Sequence, residues 1–197
     1  MTIILASGSA TRREMLARAG IAAAAMPPAL DEHRVKKAAQ KEGLPGAELA
    51  LRLAEMKAAR ISMRRPEALV IGADQLLDCE GDWFDKPADL AAAEGHIRRL
   101  RGRAHRLMTA ACCMRGGRTV WRHVEAPLLV MRDVSDPFIH SYVAHEGAAL
   151  LASVGAYRLE GPGVQLFERI EGDFFTILGL PLLPLLGFLR ECGLIPA

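Results

Sequence analysis

Two short uncharged runs, residues 2–6 and 68–73, constrain the fold of this chain more than any other feature. Each is an aliphatic stretch too short for a helix, and each reads as a buried strand. Between them, residues 11–20 and 46–65 carry helical patterns. Thr11 and Glu14 stand in capping-box spacing, and Gly20 and Pro66 act as stops. Downstream, residues 76–79 and 83–84 flank Glu80-Gly81-Asp82, a hairpin signal. Residues 88–100 and 135–146 read as helices, residues 164–170 as a strand and residues 182–192 as a closing helix. Two longer strands, residues 105–114 and 118–132, join through Gly116-Gly117. Early alternation of strand and helix, with a long hairpin in mid-chain, predicts an α/β fold on a mixed sheet. The 197 residues are expected to form one domain over residues 1–197.

Composition narrows the functional classes. Hydrophobic residues make up 51% and charged residues 24%, enough to bury a core and far from a disordered balance. The net charge of +2 offers no electrostatic footprint for nucleic acid or a membrane surface, so neither partner is expected. The longest apolar run, residues 177–189, holds Pro181 and Pro184 and is too short to cross a bilayer. No cationic stretch precedes the first apolar run, so a secretory signal is not expected. Cys79, Cys112, Cys113 and Cys192 form no C-x-x-C pair, and the adjacent Cys112 and Cys113 read as small buried hydrophobes. A reducing, cytoplasmic setting fits that usage.

Several residues invite chemistry. The turn Ser7-Gly8-Ser9-Ala10 leads into a helix whose first turn carries Arg12 and Arg13. Cations there oppose the helix dipole, and a bound phosphate between dipole and guanidinium groups would account for them. A solvated helix start with paired arginines is the alternative. Val70-Ile71-Gly72-Ala73-Asp74 is expected to end a strand on Asp74, at the sheet edge where α/β ligands bind. Lys86 stands isolated before Pro87 in a chain with only five lysines, and Asp31-Glu32 and Lys57 complete the set. Taken singly, each reads more readily as surface charge than as a catalyst. Walker A, dinucleotide and H-E-x-x-H patterns are absent, and the histidines lack metal-ligand spacing.

Taken in order, these pieces resemble the Maf family of septum-formation-inhibitor-like nucleoside triphosphate pyrophosphatases. The resemblance runs from Leu5 to about Leu189. It is carried by Leu5-Ala6-Ser7-x-Ser9 with Arg12-Arg13, Asp31-Glu32, Lys57-Ala58, Gly72-Ala73-Asp74 and Lys86-Pro87. It continues through Gly102-x-x-His105-x-x-x-Thr109, Gly155-Ala156-Tyr157, Glu160-Gly161, Gly172-Asp173 and Gly179-Leu180-Pro181. The resemblance implies a curved mixed β-sheet flanked by helices, with two lobes around a nucleotide cleft, as in inosine-triphosphatase-like folds. It implies hydrolysis of a nucleoside triphosphate to the monophosphate and pyrophosphate, a house-cleaning reaction that uses a divalent cation (Mg²⁺ or Mn²⁺). Carried over by position, Asp74 is the general base, and Glu32 with Asp74 holds the metal. Ser9, Thr11, Arg12, Arg13, Lys57, Lys86, Gln75 and Glu160 fall to substrate binding, and a homodimer is implied. The charge chemistry agrees, because a triphosphate carries about four negative charges and needs several cations beside the metal.

The chain departs from the family pattern at Ala10 and Thr11, where Pro and a larger residue are usual, and at Thr176, where Asn is usual. Gln75 and Glu160 resemble the subgroup acting on 7-methyl-GTP, whereas dTTP- and UTP-preferring members usually carry Thr and Gln there. A guanine edge presents two N–H donors that one carboxylate accepts together. The alternative places Glu160 against solvent or an arginine such as Arg158. Rival functions are a dTTP/UTP pyrophosphatase, a non-catalytic regulator of cell division acting through a partner protein, and a nucleotide sensor.

Overall fold

A computed structural model describes residues 1–196. The first buried run forms β1 (Ile3–Leu5) and leads through the small-residue turn into α1 (Ala10–Arg18). The cap of α1 is Ser9, whose hydroxyl accepts the Arg12 N–H at 3.3 Å, and not the expected Thr11. The capping-box spacing therefore sits inside the helix rather than at its start. The alanine run that follows contributes β2 (Ala23–Ala25), which pairs in parallel with β1. Next come α2 (Glu32–Glu42), capped by Asp31 and stopped by Gly43 at φ 65°, and α3 (Gly46–Ser62).

The second buried run opens β3 (Leu69–Cys79), which is parallel to β1 and turns through Glu80-Gly81 into β4 (Asp82–Phe84). Two expectations change here. Residues 68–73 and 76–79 are one unbroken strand, so Asp74 lies in the middle of β3 and not at its end. The strand continues because Leu76 and Leu77 bury fully beyond the charged position.

After α4 (Leu90–Leu100) come β5 (Ala104–Arg115), β6 (Arg118–Glu125) and β7 (Leu128–Met131). The single strand expected over residues 118–132 is thus divided. Thr109 opposes Glu125 and Arg106 opposes Leu128, so one register on β5 persists across Ala126-Pro127. Pro127 has no N–H to give the ladder, and that interrupts the strand without shifting it. The chain closes with α5 (Asp136–Glu146), β8 (Phe167–Glu171), the short α6 (Phe174–Ile177) and α7 (Leu182–Glu191). Residues at the start of the expected last strand form a 3₁₀ turn, Pro162–Leu166.

The fold is mixed α/β, with eight strands in one open sheet of order β2-β1-β3-β5-β7-β8, β4 on β3 and β6 on β5. By contact density the chain divides into two compact units. The first comprises residues 1–75, 109–125 and those from 173 onward. The second comprises residues 76–108 and 126–172. Within the first unit, Leu5, Leu16, Leu69, Ile71, Ala73, Leu180 and Leu185 form one apolar cluster. Cys112 and Cys113 are fully buried and unbridged, and burial pushes the Cys112 thiol up to about 12. Among the described residues no helix is long and apolar enough to cross a membrane.

Candidate active site

The site is built by close approach of α3 to β3. Gly72 lies on the face of β3 that meets α3, and a Cβ there would stand 2.2 Å from the Ala54 carbonyl oxygen and 2.9 Å from Ala58 Cβ. Only glycine opposite two alanines lets helix and strand come this near. Asp74, two residues on, points the same way by the strand's period of two. Lys57, on the α3 turn between Ala54 and Ala58, meets it there.

The result is a charged triad. Lys57 Nζ donates to Asp74 Oδ1 at 2.5 Å and lies 2.8 Å from Glu32 Oε1. The side chains of Lys57 and Asp74 are 9% and 6% exposed, and that of Glu32 is 42% exposed. One ammonium thus holds two carboxylates from two elements, and Asp74 Oδ2 is buried with no hydrogen-bond partner among the described residues. A buried acceptor in that state is a costly arrangement and marks a place for water or a cation.

The two arginines of α1 part company. Arg13 is exposed and makes no ion pair among the described residues. Arg12 Nε donates to the Gly179 carbonyl at 2.7 Å, and Nη1 donates to the Ala73 carbonyl at 2.9 Å and to Ser7 Oγ at 3.4 Å. Burial lowers the Arg12 pKa from its ordinary value, against the opposing pull of Asp74 and Glu32. Ser9 caps the helix, and Thr11 is half-buried in its first turn.

Gln75 points to the opposite face of β3 from Asp74. Its Nε2 donates to Thr109 Oγ1 at 2.8 Å and to the Thr176 and Ile177 carbonyls at 3.1 Å each. With the amide nitrogen committed, the amide oxygen is the group it can offer a ligand. Thr176, where the family usually has Asn, is fully buried, and its hydroxyl lies 2.7 Å from Glu125 Oε2 and 2.9 Å from Asp173 Oδ2. Sequence reasoning named Thr176 only as a departure, carried Ala58 only beside Lys57 in the motif, and missed Ala54. The small residues flanking Lys57 at helical spacing were the available signal.

In the second unit, Lys86 is exposed in the loop before α4, ahead of the buried Pro87. Glu160 meets the arginine that the alternative reading named. Arg158 Nε donates to Glu160 Oε1 at 3.2 Å, and its Nη1 donates to Glu146 Oε2 at 3.2 Å. Glu160 keeps its second carboxylate oxygen outside that pair. His105, buried at 2% exposure, shares a 2.9 Å hydrogen bond with the Tyr157 hydroxyl.

So the structure brings Asp74, Lys57 and Glu32 together, with Arg12 on the backbone beside Asp74. The family model described as "Maf-like protein" matches residues 2–192. The chain is similar to a nucleoside triphosphate pyrophosphatase of Granulibacter bethesdensis, 58% identical over 97% of both chains. It is also similar to one of Hyphomonas neptunium, 50% identical over 100% of this chain and 98% of that one. A 7-methyl-GTP pyrophosphatase of Mesorhizobium japonicum is 50% identical over 98% of this chain and 97% of its own. The buried Lys57–Asp74 pair, the Arg12-Arg13 helix start and a match over nearly the whole length have one explanation: the chain belongs to the Maf-like protein family.

Proposed function

We propose that this chain hydrolyses a nucleoside triphosphate to the monophosphate and pyrophosphate, with Asp74 as general base. The observation that carries this is the asymmetry of the Asp74 carboxylate. One oxygen is fixed by Lys57, and the other is buried and unpartnered. A water accepted there gives its proton to Oδ2 as its oxygen bonds to the α-phosphorus. The bond to the bridging oxygen then breaks, and pyrophosphate leaves with the bonding pair. The similarity to nucleoside triphosphate pyrophosphatases supports the same reaction class.

Lys57 holds Asp74 and Glu32 in place. Arg13 supplies a cation to the phosphates, and the Ser9 and Thr11 hydroxyls supply polar contacts. A divalent cation, Mg²⁺ or Mn²⁺, fits Glu32 and Asp74 as hard oxygen donors, since Mg²⁺ commonly takes one or two carboxylates and completes its shell with water and phosphate. When bound, such an ion neutralises charge developing on the phosphate oxygens.

For the base, the reading leans to 7-methyl-GTP. Glu160 retains a carboxylate oxygen outside its pair with Arg158, an acceptor suited to an N–H donor of a guanine edge. The test is pyrophosphate release by purified protein with Mg²⁺ from 7-methyl-GTP, GTP, UTP and dTTP. The highest kcat/KM is expected for 7-methyl-GTP. Preference for dTTP or UTP would overturn the base assignment alone, and no release from any triphosphate would overturn the reaction.

A further inference from the structure

We infer that Arg12 is a positioning residue that clamps the strand bearing Asp74 to the turn at Gly179, rather than a ligand of the triphosphate. The inference rests on the hydrolase reading for its kinetic arm only. Three of the five guanidinium N–H groups are committed to the protein: one to Gly179 O, one to Ala73 O and one to Ser7 Oγ. Ala73 immediately precedes Asp74, so the bond at 2.9 Å fixes the peptide that carries the base.

Gly179 has φ +104°, a conformation that L side chains rarely adopt, and a Cβ there would lie 3.4 Å from Arg12 Nε. The turn is therefore shaped to present its carbonyl to this arginine. A second tie works from the other side of Asp74. Gln75 Nε2 reaches the Thr176 and Ile177 carbonyls, and Thr109 Oγ1 donates to Thr176 O at 3.1 Å. Both neighbours of Asp74 are thus fastened to residues 176–179.

A phosphate recruiting Arg12 would compete with bonds of 2.7 and 2.9 Å to backbone carbonyls, and releasing them would loosen the base. Arg13, one position on and therefore pointing elsewhere around the helix, carries no such bonds and is exposed. The pair divides its labour: one arginine holds the framework and its neighbour meets the anion.

The test is Arg12→Lys, which keeps the charge but replaces a planar fork with a point donor that cannot span both carbonyls. Three quantities are measured: kcat, the Kd of inorganic pyrophosphate with Mg²⁺ by titration calorimetry, and hydrogen exchange at the Gly179 and Leu180 amides. Those amides bond to Thr176 O at 3.0 Å and Phe175 O at 3.1 Å and report the turn directly. The clamp predicts a loss in kcat on the order of 10²-fold from a small displacement of the base. It predicts a Kd changed by less than about twofold and exchange faster by about tenfold. Arg13→Ala should instead weaken pyrophosphate by about tenfold or more, as loss of a charge-assisted contact does. Gly179→Ala disturbs the same clamp with the guanidinium intact and should copy the Arg12→Lys pattern, which keeps the test open if Arg12→Lys does not fold. A Kd weakened about tenfold in Arg12→Lys with exchange unchanged would overturn the clamp. Absence of turnover in the unsubstituted protein would refute the hydrolase reading, and the Kd and exchange measurements would still decide the clamp.

Discussion

At the scale of single residues, Asp74 has one constrained oxygen and one unpartnered oxygen, and that asymmetry makes its role testable. Asp74→Asn keeps the size of the side chain and removes its basicity. Pyrophosphate release should fall by about 10²- to 10⁴-fold while nucleotide binding persists, checked by rate assays beside a binding titration. Lys57 is the only cation within ion-pair distance of Asp74 among the described residues. Lys57→Met leaves a buried carboxylate unpaired and should cost about 3–5 kcal/mol in urea denaturation, part of it regained in the double variant with Asp74→Asn. Glu160 is bound by Arg158 through one oxygen only. If its other oxygen reads a guanine N–H, Glu160→Gln should lower kcat/KM for 7-methyl-GTP by about 5- to 150-fold and spare UTP and dTTP. An equal loss on all substrates would assign Glu160 to the Arg158–Glu146 network alone.

Among the elements, the decisive contact is α3 on β3. The charged triad exists because Gly72, Ala54 and Ala58 remove the side chains that would otherwise hold helix and strand apart. Gly72→Ala introduces a methyl against the backbone carbonyl of Ala54, which no rotamer can relieve. It should destabilise the protein by about 1–3 kcal/mol, or more where the backbone cannot shift. Because Lys57 rides on the displaced helix, activity should fall beyond what the stability loss explains. Thermal melts and kcat on the same samples check both. An activity unchanged in the folded fraction would show that the Lys57–Asp74 contact tolerates a looser fit.

Over the whole molecule, folding is linked to pH through a group outside the proposed chemistry. Burial lowers His105 from its ordinary value to about 4, and its ring is held neutral against the Tyr157 hydroxyl. Between pH 6.5 and about 4 the unfolded chain binds a proton that the folded chain refuses. Stability contributed by the neutral ring is therefore complete above pH 6.5, declines as pH falls and levels off below about 4. The loss amounts to about 3 kcal/mol. Urea midpoints across this range should show the decline, and His105→Gln, which cannot titrate there, should flatten it by about one proton's worth of slope. A slope unchanged by the substitution would mean that other groups govern acid stability.

What the sequence determined by itself was local. The aliphatic runs of β1 and early β3, the long α3 pattern stopped by Pro66, the Gly-Gly hairpin and the Ser135 cap of α5 are written in neighbouring residues, and each appears in the structure. The ordered motifs pointed to the family and to Asp74, Lys57 and Glu32. Three alanines made a strand only because β1 lay ready to pair with them, since alanine carries no β preference of its own. Asp74 could sit in mid-strand because a lysine from a distant helix neutralised it, and no spacing along the chain records that meeting. Arg12 and Arg13, adjacent and chemically identical, looked equivalent in sequence. Tertiary structure decided between them, because only one faced the carbonyls of Ala73 and Gly179. Hydrogen bonds over such separations depend on where the backbone returns, and that is settled by packing of the whole unit rather than by any local pattern.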